Sequence, residues 1–392
     1  KLALRLLGNP EKKLNNVISV LGESGKFTTL FSLKSFIEAN GQTVSTYISP
    51  SIQDIKERFY MGKRYLTHKE IKDTIKEIEK LKIPLTIYEV LTLIYVINAS
   101  KLNVDFHLIE TGALWKHDCG NIFDFPLAQI VVNINLQHKI FLKKKTLDEI
   151  IHEDVGYLNN FSNIYIGKQN SKTLKIIKRI LKKNTSNITY PSKWKIIYKE
   201  QNIYYKDKKH EIPIKSNYIH SKGLIDNLGL SIKIALDLNI KPTIIQKTIP
   251  KIYFEGRLQY IRKGKLKKYV HKNEKILLDG AHSNISGKNL YNYLKTLKLP
   301  IYCIWGMQKN KLPKEFLKEF KGIFKKIVTV KIPGEPNSCT ADELKSIAIK
   351  QDYKVETAIG IKEALKKITS KEKKIIVVMG SLYWCGSVLK EN

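Results

Sequence analysis

Short, almost unbroken apolar runs alternate along this chain with segments whose apolar residues recur at helical spacing. VISVL (Val17–Leu21) precedes FTTLFSLKSFIEANG, where Phe27, Leu30, Phe31, Phe36 and Ile37 share a helical face and Asn40-Gly41 supplies a stop. The alternation continues through TVSTYIS (43–49), a buried helical segment (86–99), VDFHLIE (104–110), AQIVVNINLQH (128–138), NIYIG (163–167) and a basic amphipathic segment around 174–181. Strands interleaved with helices predict an α/β fold with a mostly parallel sheet covered on both faces.

Between residues 194 and 214 the texture changes to short alternating runs, which read as hairpins, and helical periodicity resumes over 224–238. A second βα series begins at Lys275: KILLD, IYCIWG, KKIVTVKI and KKIIVVMG read as strands, with helices such as 313–324 and 361–369 between them. At 392 residues the chain is too long for one core. The boundary is expected near 254–257, giving domains 1–255 and 256–392.

The net charge of +33 invites a nucleic-acid reading. The charge is lysine rather than arginine and is scattered along the chain, and no aromatic-basic platform or recognition-helix motif accompanies it. A diffuse solvated surface is the leading expectation, ahead of one that attracts small anionic substrates, with no nucleic-acid partner. Cys119, Cys303, Cys339 and Cys385 lie far apart with no CxxC pair, which argues against a zinc site or a disulfide framework and fits a reducing compartment. With no signal-peptide pattern and no membrane-length apolar run, a soluble, cytoplasmic protein is expected, with a monomer as its simplest state.

The link from the first strand to the first helix, VLGESGKFTT, lies where a phosphate loop belongs, because a helix N-terminus offers amide hydrogens and a positive dipole end. Two residues separate Gly22 from Gly25, where a Walker A loop has four, and Phe27 takes the position of the hydroxyl, with Thr28 one place later. Other polar residues fall at strand ends, where α/β sheets bind ligands: Glu110 after VDFHLI, His138 after IVVNI, and Asp279 opening DGAHS. Taken singly, each also has an ordinary surface or turn reading.

In order and spacing these motifs resemble the folylpolyglutamate synthase/dihydrofolate synthase family of the Mur ligase superfamily. GESGKFT stands for the family's G-T-N-G-K-G-S, YISPS for S-P-H, LTIYEVLT for T-F-F-E-x-L-T, and LIETGALWKHDCGN for L-E-x-G-L-G-G-R-x-D-A-T-N. VNINLQH, FEGRLQ, LLDGAHS, IWGM and MGSLY complete a series that covers nearly the whole chain. The resemblance implies a two-domain Mur-ligase-like protein: a P-loop-type, mostly parallel sheet domain and a smaller Rossmann-like C-terminal domain. It also implies an ATP-dependent ligase that joins L-glutamate to dihydropteroate or a reduced folate through an acyl phosphate, with Mg2+.

By the same resemblance, Ser24, Gly25, Lys26 and Phe27 would wrap the phosphates, and Thr28, Ser49, Glu110 and His138 match metal positions. Asn227, Arg257 and Asp279 match residues that hold adenine, phosphate and ribose. Arg257 and Asp279 belong to the smaller domain, so domain closure is an expected gate. Thr86 and His117, Asp118 and Cys119 match positions near the pterin substrate, and His282 lies where ATP or glutamate is handled. Asp154 stands where the family has a carbamylated lysine whose carbamate serves a second magnesium, which leaves two readings: its shorter carboxylate reaches that metal through water, or the second metal is absent. Glu23 and Phe27 depart from the family loop, and GALWK loses two of its glycines and its arginine. These departures keep two alternatives open: a diverged, non-catalytic nucleotide-binding relative, or another Mur-type amino-acid ligase.

Overall fold

A computed structural model describes residues 1–136, 142–200, 202–216 and 218–392. The chain forms two compact units, Lys1–Asn217 with Gly223–Ile252, and Tyr218–Lys222 with Tyr253–Asn392.

In the first unit, β1 (Val17–Leu21), β2 (Val44–Tyr47), β3 (Phe59–Met61), β4 (Phe106–Glu110), β5 (Ala128–Val131), β6 (Asn163–Ile166) and β7 (Asn187–Thr189) form one sheet. Its order is β3-β2-β4-β1-β5-β6-β7, parallel except where β3 runs against β2. β1, β4 and β5 are buried along their whole length, which is why they read as continuous apolar runs. One core gathers Phe59, Ile94, Tyr95 and Val96 beside helix Ile87–Ala99, and another gathers Leu21, Val131, Ile150, Ile164 and Ile177. A separate antiparallel sheet of β8 (Trp194–Lys199), β9 (Asn202–Asp207) and β10 (Glu211–Pro213) accounts for the hairpin texture.

In the second unit, β11 (Gln259–Ile261), β12 (Lys275–Asp279), β13 (Ile301–Trp305), β14 (Phe324–Val330), β15 (Val355–Ala358) and β16 (Ile375–Met379) are ordered β11-β12-β16-β13-β14-β15. All neighbours are parallel except the edge strand β11. At the amino ends of β12 and β16, buried Lys374 donates to the Ile368 carbonyl at 2.6 Å and lies 3.2 Å from the Glu274 carboxylate. Burial alone would raise the Glu274 pKa. Bonds from Thr369, Ser370, His271 and Lys374 outweigh it and hold the group below its ordinary value.

Several segments differ from the sequence reading. The expected helix over 313–324 is Pro313–Lys318, because Gly322 turns the chain at φ 78° and Phe324 already belongs to β14. The run over 128–138 pairs as a strand to Val131 before turning toward the glycine loop. Helix His68–Glu79 is additional, started by a capping box in which Thr67 accepts from the Glu70 amide and Glu70 accepts from that of Thr67. Among the described residues no helix is long and apolar enough to cross a membrane.

A buried polar chain links the first sheet to helix Ile87–Ala99: Ser45 Oγ lies 2.7 Å from His107 Nδ1 and 2.8 Å from the Tyr95 hydroxyl. Burial lowers the His107 pKa from 6.5 to about 4. The folded state therefore keeps the ring neutral at pH values where the unfolded chain binds a proton. Stability is full above pH 6.5 and falls as pH drops toward 4, by about 3 kcal/mol from this residue. Urea unfolding between pH 7 and 4 should show this slope, and a His107→Gln variant should lose that part of it.

Candidate active site

Strands β2, β4, β1 and β5 are neighbours, so their carboxyl ends form one edge, with β1 at the point where the chain's connections diverge. The turn after β1 carries Gly22 and Gly25 at φ values of 103° and 105°. Both lie in a region that side chains disfavour. At Gly25 a Cβ would stand 2.3 Å from Asn227 Nδ2, so any side chain there would also displace the Asn227 amide. Helix Lys26–Ala39 begins immediately afterwards, and its N-cap residue, Gly25, makes no side-chain capping hydrogen bond. Its first turn thus presents a positive dipole end whose amides have no acceptor within the helix.

The loop is braced from β5: the Glu23 and Ser24 amides donate to the Asn133 carbonyl at 3.1 and 3.0 Å, and Asn135 Nδ2 donates to Ser24 Oγ at 3.0 Å. Ser24, expected to turn its amide to phosphate, thus spends it on Asn133. Lys26 Nζ donates to the Gly22 carbonyl at 2.7 Å. Phe27 lies inside the helix and stacks on Phe31 with ring centroids 5.5 Å apart. The family's glycine is therefore not needed here for a positive φ. Thr28 Oγ1 donates to the Gly25 carbonyl at 3.0 Å and accepts from Asn227 Nδ2 at 2.9 Å.

Two more of the expected metal residues meet across β2 and β4. Glu110 is buried, and its Oε2 accepts the Ser49 amide at 3.0 Å. Ser49 Oγ lies 3.4 Å from the Tyr88 hydroxyl and from Arg58 Nη1. His138 lies outside the described residues. Among the described residues no three His, Cys, Asp or Glu side chains form a metal cluster. One buried carboxylate with nearby hydroxyls suits a hard cation that keeps water and takes substrate oxygens, which is the chemistry of Mg2+.

The loop after β4 is shaped by carboxylates. Asp118 accepts the amides of Gly112 and Gly120 at 2.7 Å and that of Ala113 at 3.2 Å. Burial holds its pKa above the ordinary value, although these amides and the charge of Lys26 pull the other way. Asp118 therefore fixes the turn that carries exposed His117. Burial, with the charges of Asp118 and Glu89, pushes the Cys119 thiol up to about 11, so it stays protonated and is no nucleophile at neutral pH. Asp154, buried on helix Leu147–Val155, accepts the Trp115 amide at 3.1 Å and braces the same loop from below. Thr86 caps helix Ile87–Ala99: its hydroxyl donates to Glu89 Oε2 at 2.8 Å and accepts from the Glu89 amide.

In the second unit, buried Asp279 ends β12 and accepts the amides of Leu258 and Ala281, each at 2.9 Å. Burial holds its carboxyl above the ordinary range against the opposing pull of Arg257 and the two amides. Arg257 donates to the Gly256 carbonyl at 3.2 Å, and His282 Nδ1 lies 2.7 Å from the Gly280 carbonyl, which sets the proton on that nitrogen. Arg257, Asp279 and His282 are thus grouped where β11 and β12 meet. Residues missed in the sequence are Asn133 and Asn135, whose alternation in VNIN was the available signal, together with Tyr88 and Ser231.

A helix that starts from a glycine turn at the carboxyl edge of a parallel sheet defines a nucleotide-binding α/β protein of the phosphate-loop type. The pattern described as dihydrofolate synthetase, C-terminal domain, matches residues 262–391. Dihydrofolate synthase/folylpolyglutamate synthase of Bacillus subtilis is 22% identical over 416 residues, covering 100% of this chain and 93% of that protein. The protein of the same description from Buchnera aphidicola (Schizaphis graminum) is 26% identical over 306 residues, covering 75% of this chain and 68% of its own length. E. coli FolC, solved with DHPP and ADP, superimposes with a TM-score of 0.84 at 20% identity, over 99% of this chain and 91% of that one. In sequence along its length and in fold, the chain is similar to members of the folylpolyglutamate synthase/dihydrofolate synthase family.

Gly25→Ala should cost about 1–2 kcal/mol through its left-handed backbone alone, before the collision with Asn227. Chemical denaturation and ADP titration should show the variant both less stable and weaker in nucleotide binding.

Proposed function

We propose that the protein is an ATP-dependent carboxylate–amine ligase that joins L-glutamate to dihydropteroate, to reduced folates, or to both. The observation that carries this reading is the glycine turn at the helix N-terminus with Lys26 at its mouth, in a chain similar over its full length to enzymes of that name.

A carboxylate is a poor acyl donor because its oxygen leaves badly. Its attack on the γ-phosphorus of ATP forms a carboxyl–phosphate anhydride and releases ADP. The glutamate amine then attacks the acyl carbon, the tetrahedral intermediate collapses, phosphate leaves, and the nitrogen loses a proton. Bringing two anions together requires fixed positive potential. Lys26, exchanging its Gly22 carbonyl for phosphate oxygen, and the open end of helix Lys26–Ala39 supply it. Thr28, Ser49 and Glu110, with His138, would hold Mg2+, which when bound screens phosphate charge.

The loop shaped by Asp118 and Asp154, with Thr86 and Tyr88 at the start of their helix, is assigned to the pterin-bearing substrate. Arg257, Asp279 and His282 are assigned to nucleotide or glutamate. Asp154, bound to the Trp115 amide, is assigned to positioning this loop.

Purified protein given ATP, Mg2+, glutamate and either dihydropteroate or tetrahydrofolate should release ADP and yield a product heavier by one glutamyl unit. Absence of substrate-dependent turnover with both acceptors overturns the reading. Lys26→Ala should lower kcat/KM on the order of 10²- to 10³-fold, as expected for loss of a group that meets developing charge. A variant as active as the parent removes the loop from the mechanism.

A further inference from the structure

Asn227 lies 199 residues from Thr28 in sequence, on helix Lys222–Asp237, yet its Nδ2 donates to the Thr28 hydroxyl at 2.9 Å. One turn further along the same helix, Ser231 Oγ donates to the Thr29 carbonyl at 2.9 Å and lies 3.0 Å from the Asn227 carbonyl. Residues four apart share a helix face, so both side chains meet the first turn of helix Lys26–Ala39. The Asn227 amide group also lies against the loop's main chain, since the three atoms nearest a Cβ on Gly25 all belong to it, at 2.3 to 2.7 Å.

We infer that Asn227 is a positioning residue for the phosphate loop rather than a reader of the nucleotide base. This rests on the nucleotide-binding reading above and deepens it. The contact orders a chain of polar groups. Asn227 N–H fills one lone pair of the Thr28 oxygen, and the Thr28 hydroxyl hydrogen is committed to the Gly25 carbonyl. One lone pair of Thr28 is left with a fixed direction, suited to an ion or a water beside the phosphates. The packing of Asn227 against Gly25 holds the turn in its left-handed conformation. Removing the amide would free the hydroxyl to rotate and the turn to relax. The loss would then be felt by anything that carries a polyphosphate, whatever its base.

Calorimetric titration of the parent, Asn227→Ala and Asn227→Ser with Mg-ATP, Mg-ITP and Mg-tripolyphosphate separates the two roles. ITP differs from ATP at the base, and tripolyphosphate has no base. The inference expects affinity to fall by a similar factor, on the order of tenfold, for all three ligands, with the ATP:ITP ratio unchanged. It also expects Thr28→Val combined with Asn227→Ala to lose less than the product of the two single effects, because both act on one contact. Circular dichroism identifies a folded variant, and Asn227→Ser retains a polar side chain too short to reach Thr28. Weakened ATP binding with unchanged tripolyphosphate binding overturns the inference in favour of base recognition. Unchanged binding of all three overturns it outright. A parent protein that binds neither ATP nor tripolyphosphate overturns the nucleotide reading itself, a failure separable from the others because it precedes any substitution.

Discussion

The parallel pairing of β1 with β4 on one side and β5 on the other is the constraint on which the first unit's chemistry depends. The register sets Val20 opposite Glu110 and Leu21 opposite Val131, so the glycine turn, the carboxylate and the Asn133 brace emerge at one level. Parallel strands need covered faces, and the apolar runs that satisfy this also fix which ends carry polar groups. Slipping β1 by one residue would turn its buried faces over and misplace the loop.

Around this edge, and separately at the end of β12 in the second unit, acidic side chains are spent largely on backbone. Asp118 holds three amides of its own loop, Asp154 holds that of Trp115, and Asp279 holds those of Leu258 and Ala281. Loops rich in exposed main-chain groups cannot keep a shape by apolar packing, and a fixed carboxylate gives two or three amides a common acceptor. Much of what resembles ligand chemistry in the sequence is therefore the scaffolding of that chemistry. The same holds for Thr86, whose hydroxyl starts a helix.

The strand–glycine turn–helix unit was legible because its signals are local: an apolar run, two glycines and a helical period. The strand-end positions of Glu110 and Asp279 followed from where their apolar runs stop, whereas Ser49 was reached only through the family resemblance. Less was legible where contacts join distant residues. Nothing local in Asn227 points to Thr28, and nothing in HEDVGY points to Trp115. Helix His68–Glu79 had its signal, Thr67 and Glu70 at capping-box spacing, but its many charged residues masked the buried stripe of Ile71, Thr74 and Ile78. The reading of 313–324 as one helix ran through Gly322; Phe316 meets Phe320 edge-on and Phe320 stacks on Phe324, but across a turn into a strand.

Phe27, the residue least like a phosphate loop, has a consequence for how that loop behaves. Its backbone is helical and its ring lies on Phe31, so it occupies a conformation open to any amino acid. A side chain there, in place of glycine, narrows the wanderings of the unfolded chain at no steric cost and stiffens the folded turn. An anion arriving at this helix meets a mouth already set, and less of its binding energy goes into freezing the polypeptide around it.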